Sequence, residues 1–173
     1  MTITLNGTTG ITDVNGTAAA PAITGTDTDS GMYFGTNSVG LATGGTTAVS
    51  IDASQNVLVV GTGSGSLGYG TGAGGAVTQL TSRTTGVTLS KPTGAITMFS
   101  AAGSAVAATF TVTNTLVAAT DNIIVSQKSG TNLYVLLVTA VAAGSFNITF
   151  YTTGGTATDA PVINFSVIKG VAA

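Results

Sequence analysis

Three segments of this chain alternate apolar and hydroxyl- or amide-bearing residues with a period of two, and nothing else in the sequence constrains the fold as tightly. In Thr109-Phe110-Thr111-Val112-Thr113 the phenylalanine and valine fall on one face and the threonines on the other. Phe146, Ile148 and Phe150 alternate in the same way with Ser145, Asn147 and Thr149, and Ile163, Phe165 and Val167 with Asn164 and Ser166. Only extended backbone sends every second side chain to the same face. Leu133 to Val138 is apolar on both faces, which predicts a central strand or one covered by another subunit. Ala143-Gly144-Ser145 predicts a tight turn between two long strands. About eight strands fit between Ala76 and Lys169, with no amphipathic helix of useful length. Many short strands joined by glycine-rich turns predict an all-β, eight-stranded sandwich of jelly-roll type.

The preceding part of the chain has a different texture. Short strands are predicted at Thr2–Leu5, Gly31–Gly35, Thr46–Ile51 and Asn56–Val60. Asn6-Gly7 and Asn15-Gly16 are turn dipeptides that favour positive φ. From Gly61 to Gly75 a glycine falls at about every second position. Such a stretch cannot pack a core through its own side chains, so it reads as a linker or as backbone held close against neighbouring chains. The chain therefore divides into a β-rich, shaft-like or attachment region over residues 1–67 and a C-terminal β-sandwich (knob) domain over 68–173.

Composition then decides what chemistry is open to such a fold. Charged residues are 6% of the chain, against about 25% in an ordinary soluble domain. They are four Lys or Arg and six Asp, with no Glu, His or Cys. Without imidazole or thiol there is no group for nucleophilic catalysis by those residues, for proton shuttling near neutral pH, or for zinc and haem ligation. Four basic residues and a net charge of −2 argue against a nucleic-acid partner. The most apolar run, Leu133 to Ala143, falls short of the roughly 20 residues of a membrane-spanning helix. Met1-Thr2-Ile3-Thr4 lacks the basic and apolar regions of a secretory signal, and a cysteine-free chain fits folding in a reducing cytosol. A mean hydropathy of +0.52 excludes disorder by composition. It also implies exposed apolar patches on a monomer, hence an obligate homo-oligomer.

Each motif reads more simply as structure than as chemistry. Gly63-Ser64-Gly65-Ser66-Leu67-Gly68 has the letters of a dinucleotide fingerprint, but no helix follows and no acid lies between Asp52 and Asp121. Asp27-Thr28-Asp29-Ser30-Gly31 has the first half of a calcium-loop pattern, with Ser38 where the bidentate acid is needed. It reads as a capped β-turn, and cation binding by Asp27 and Asp29 is the alternative. Glycoside hydrolysis needs two facing carboxyls, and Asp13, Asp52, Asp121 and Asp159 all sit in turn-like or polar stretches. Arg83 is either a solvated surface residue or the anchor of a hydrogen-bond network, between subunits or to a carboxylate such as Asp121. Lys91, Lys128 and Lys169 read as exposed charges that discourage edge pairing. Tyr33, Tyr69 and Tyr151 read as packing or interface residues, with sugar stacking as the alternative. The sequons at Asn6, Asn15, Asn147 and Asn164 carry no weight without a secretory signal. No catalytic, cofactor or metal residue is assigned.

One stretch carries a resemblance. Gly68 to Leu89 reads GYGTGAGGAVTQLTSRTTGVTL and runs through Lys91 to Gly94-Ala95-Ile96-Thr97. It resembles a segment of bacteriophage and prophage tail-fibre and virion structural proteins, where it opens a C-terminal β-domain. Phe110 to Asn114, Asp121 to Val125, Gly144 to Phe146 and Ile163 to Phe165 are also similar to that domain. Asn6 to Ile11, Ala20 to Gly25 and Gln55 to Gly61 are more loosely similar to repeated fibre-shaft modules. The resemblance implies a non-enzymatic virion surface protein, usually trimeric, with other virion proteins as partners and a host surface glycan or protein as a possible contact. Tail fibres are generally long, with an N-terminal tail-attachment domain, and this sequence begins almost directly with shaft-like residues. That adds a head fibre, a capsid decoration protein or a tail-tip accessory to the expectation. A polysaccharide depolymerase and a calcium-dependent lectin-like module are the competing classes. The depolymerases resemble longer β-helices with clustered acids.

Overall fold

A computed structural model describes residues 15–60 and 67–171. The protein is all-β, with no helix among the described residues, and none therefore long and apolar enough to cross a membrane. Contacts divide it into two compact units, Met1–Gly68 and Tyr69–Ala173.

The first unit is a five-stranded antiparallel meander of β1 (Ile23–Thr24), β2 (Gly31–Gly35), β3 (Ser38–Thr43), β4 (Thr46–Ile51) and β5 (Val57–Val59), paired in chain order. The strands expected at Gly31–Gly35 and Thr46–Ile51 form over those residues, and the one expected at 56–60 forms as β5. Strand β3 has no counterpart in the sequence reading, because Gly40 interrupts its pattern like a breaker. Its role is steric: the Tyr33 ring lies where a Cβ at Gly40 would stand, and the Tyr33 hydroxyl is 2.6 Å from Thr47 Oγ1. Between β3 and β4, Gly44 and Gly45 have φ of 55° and 71°, the paired left-handed conformations whose twist suits a two-residue hairpin loop. The predicted strand Thr2–Leu5 and the Asn6-Gly7 turn lie outside the described residues.

Register gives this sheet two unlike faces. Ile23 pairs with Met32, Met32 with Leu41, Leu41 with Val49 and Val49 with Val59, an unbroken apolar row across all five strands. On the same face Phe34, Val39, Ile51 and Val57 make a second row across four strands. No residue of either row is fully buried.

The second unit contains β6 (Gly74–Thr78), β7 (Val87–Thr88), β8 (Thr93–Thr97), β9 (Ala101–Ala102), β10 (Ala108–Thr113), β11 (Asn122–Ser129), β12 (Tyr134–Ala142), β13 (Ser145–Thr152), β14 (Thr158–Asp159) and β15 (Val162–Ile168). Eight of these form two four-stranded sheets, in the orders β12-β13-β10-β7 and β11-β15-β8-β6, while β9 and β14 pair separately. Pairing is antiparallel except where β7 joins β10 and β6 joins β8. The alternating segments behave as their pattern requires: Phe110, Val112, Phe146 and Ile148 from one sheet share a buried cluster with Ile163 and Phe165 from the other. The Phe146 and Phe165 rings meet at 5.3 Å between centroids, tilted by 58°. Each buried ring of this kind stabilises by about 1.5–3 kcal/mol, with about 0.5–1.5 kcal/mol more for a well-placed pair.

The central-strand alternative for Leu133–Val138 is corrected: among the described residues, β12 stands at the edge of its sheet, bonded only to β13. Leu136 and Val138 point to the core, whereas Leu137 on the opposite face is 47% exposed. The turn expected at Ala143-Gly144-Ser145 closes the β12–β13 hairpin, with Gly144 at φ 82°.

Candidate functional site

The densest polar assembly is built around Arg83, in the loop after β6, and Asp159, at the end of β14. Arg83 Nη2 lies 2.8 Å from Asp159 Oδ1, and the two side chains are only 9% and 6% exposed. The guanidinium also donates to backbone carbonyls: Nε to Phe99 at 3.1 Å, Nη1 to Ala102 at 3.3 Å, and Nη2 to Ala101 and Asp159 at 2.6 and 2.7 Å. Its Nη1 reaches the Tyr134 hydroxyl at 2.6 Å, and that hydroxyl donates to Asp159 Oδ1 at 2.9 Å. Asp159 Oδ2 accepts from the backbone N–H of Thr131 and Asn132 at 2.9 and 3.1 Å. Burial pushes the Asp159 carboxyl up, but donation from the Asn132 backbone, the Tyr134 hydroxyl, Arg83 and the Thr131 backbone outweighs it and holds the pKa below its ordinary value.

Side-chain amides extend the assembly. Gln79 donates to the carbonyls of Arg83 and Thr85 at 3.1 and 2.7 Å and accepts from the Phe99 N–H at 3.2 Å. Gln127 bridges the β11–β12 connection, donating to the Asn132 carbonyl at 2.7 Å and accepting from the Tyr134 N–H at 2.9 Å. Asn132 donates to Ala157 at 2.7 Å. Among the described residues no buried side-chain nitrogen or oxygen lacks a partner. An assembly whose buried donors and acceptors face one another holds the surrounding loops together.

The other candidate residues are placed as follows. Arg83 does anchor a network, but its carboxylate is Asp159 and not Asp121. Asp121 caps the loop before β11 instead: it accepts from the N–H of Ala118 and Gly170 at 2.8 and 3.2 Å and pairs with Lys169. These bonds, the Ala118 N–H first and Lys169 second, lower its pKa. The Lys169 side chain itself remains 64% exposed. Asp52 closes the β4–β5 turn on Ser54 and Asn56, which lowers its pKa, chiefly through the Asn56 side chain. Asp27 and Asp29 share one exposed turn. Bonding to the Ser30 and Asp29 side chains lowers the Asp27 pKa, and the Asp27 side chain raises that of Asp29. Among the described residues no third acidic or metal-ligating side chain joins them. Asp13 and residues 63–66 of the fingerprint-like run lie outside the described residues.

Tyr69 donates its hydroxyl to the Val167 carbonyl, while Tyr151 pairs across strands with Val135 at the half-buried surface of its sheet. Lys91 reaches the Gly72 carbonyl at 3.3 Å, and Lys128 stands on the edge strand β11. No motif in the sequence singles out Tyr134, Asn132, Asn114, Gln79 or Gln127. Asn114, fully buried, donates to the Lys91 carbonyl at 2.8 Å and accepts from the Leu116 N–H at 3.0 Å.

The outward face of the β12-β13-β10 surface carries hydroxyls in place of charges. Thr149 lies 2.7 Å from Thr109 and 2.8 Å from Thr139, oxygen to oxygen, and Thr111 donates to Asn147 at 2.8 Å. Comparison with protein-family models, curated proteins and solved structures finds no match to this chain.

Proposed function

We propose that this chain is a non-enzymatic structural protein of a bacteriophage particle, a homotrimeric fibre or spike of the tail or head. In this reading the second unit is the outward knob, assembly takes place in the bacterial cytoplasm, and other virion proteins hold the appendage. The observation that carries the reading is the use made of the charged groups. Every described aspartate with hydrogen-bond partners clamps a turn or loop, while the outer threonine rows carry hydroxyls, an amide and Leu137 and no charged group. Surfaces of that kind associate through contacts that depend little on pH or salt.

The strand order supports a sandwich of jelly-roll type for the knob. Pairing of β8 with β15 encloses pairing of β10 with β13, and β8, β10, β11 and β12 alternate between the two sheets. That is the order produced when a long hairpin rolls into two layers.

The test is electron microscopy of particles lacking the protein, with infectivity measured in parallel. Intact shells that lose an appendage and infectivity support the fibre. Fragile shells with no missing appendage would assign it to capsid decoration instead.

A further inference from the structure

Among the described residues, no second layer covers one face of the β1–β5 sheet. A sheet buries its hydrophobic face against another element, yet the row from Ile23 to Val59 and the row from Phe34 to Val57 remain open. Ile23 is 49% exposed, Leu41 44%, Ile51 42%, Val57 69% and Val59 41%. Together with half-buried Met32, Phe34, Val39 and Val49, these leave on the order of 500–600 Å² of contiguous apolar surface, the top of the range a monomer carries.

We propose that this face is the interface between copies of the chain, the two rows of each copy packing against the same rows of its neighbours. This rests on the self-association in the reading above and adds the surface that performs it. Three features select a second copy as the occupant. Two copies contribute about 1,000–1,200 Å² between them, which reaches the lower limit of a specific association. The rows contain no charged or hydroxyl-bearing side chain. A foreign partner is held in register largely by charged and polar complementarity, whereas identical copies take their register from symmetry. The dimensions also suit three copies. Five strands about 4.8 Å apart span roughly 20–24 Å, so three such sheets closing a triangle lie about 6–7 Å from its axis, near the half-spacing of about 5 Å that side chains fill between packed sheets.

Because the chain has no cysteine, single thiols can report on each face of the full-length protein. Ile51→Cys and Val59→Cys place a thiol on the apolar face, and Leu58→Cys places one on the opposite face of the same strand as Val59. The parent residues are almost equally exposed in one copy, at 42%, 41% and 44%. At micromolar protein, maleimide is expected to label Ile51→Cys and Val59→Cys at least tenfold more slowly than Leu58→Cys, with the difference abolished in denaturant. Light scattering on the same samples is expected to give three chain masses, and Val57→Lys to reduce the mass while the thermal transition of the second unit persists. Equal labelling of all three thiols in a trimer would overturn this interface and leave the trimer standing. Equal labelling in a monomer would overturn both. Protected thiols in a dimer would keep the interface and overturn the three-fold arrangement.

Discussion

At the scale of single residues, the Arg83–Asp159 pair offers the clearest test of what holds the second unit together. Both side chains are almost wholly buried, so removing one leaves the other charge uncompensated. Arg83→Ala is expected to cost about 3–5 kcal/mol in denaturant unfolding, the range for breaking a buried ion pair. Tyr134→Phe, which removes a hydroxyl bonded to both partners, is expected to cost about 1–3 kcal/mol. The pH dependence follows from the lowered Asp159 pKa. A carboxyl depressed in the folded state contributes stability above its unfolded pKa and loses it as pH falls through the folded one. The urea midpoint of the second unit should therefore decline as pH drops below about 4, and Asp159→Asn, already weakened at neutral pH, should show a flatter decline.

At the scale of elements, hairpin loops and edges behave differently from core strands. The β3–β4 loop needs left-handed backbone at both Gly44 and Gly45, a conformation that costs a residue with a Cβ roughly 1–2 kcal/mol. Gly45→Ala is expected to lower the stability of the first unit by about that amount, read as an earlier loss of its hydrogen-exchange protection. Strand β12 is paired on one side only, and Leu137 stands outward from it. Leu137→Lys should consequently change unfolding of the second unit by no more than about 0.5 kcal/mol. Phe146→Ala, in contrast, empties a site 1% exposed at the Phe165 contact and should cost about 3–5 kcal/mol.

At the scale of the whole molecule, the two units owe their stability to different sources. The second has a core of its own, shared by two sheets. Among the described residues the first is one sheet with an open apolar face, so its stability on the proposed reading is tied to association and rises with protein concentration. Calorimetry of the full chain across a hundredfold concentration range should show one transition that moves upward and one that stays in place. Two transitions that are both independent of concentration would contradict that reading.

What the sequence determined by itself was local. Alternation at Thr109–Thr113, Ser145–Phe150 and Ile163–Val167 requires extended backbone and names the inward face, because side chains on a strand alternate whatever the strand's neighbours are. Turn chemistry at Ala143-Gly144 was legible for the same reason. The tertiary structure alone decided which strands are neighbours. It placed β12 at an edge, although the apolarity of Leu133–Val138 allowed a centre. It brought Arg83 to Asp159 across 76 residues of chain and left Asp121 to Lys169. It aligned Ile23, Met32, Leu41, Val49 and Val59 into one row, which no single strand announces. Periodicity is fixed by the geometry of consecutive residues, whereas pairing, register and charge partners depend on which distant segments close on one another.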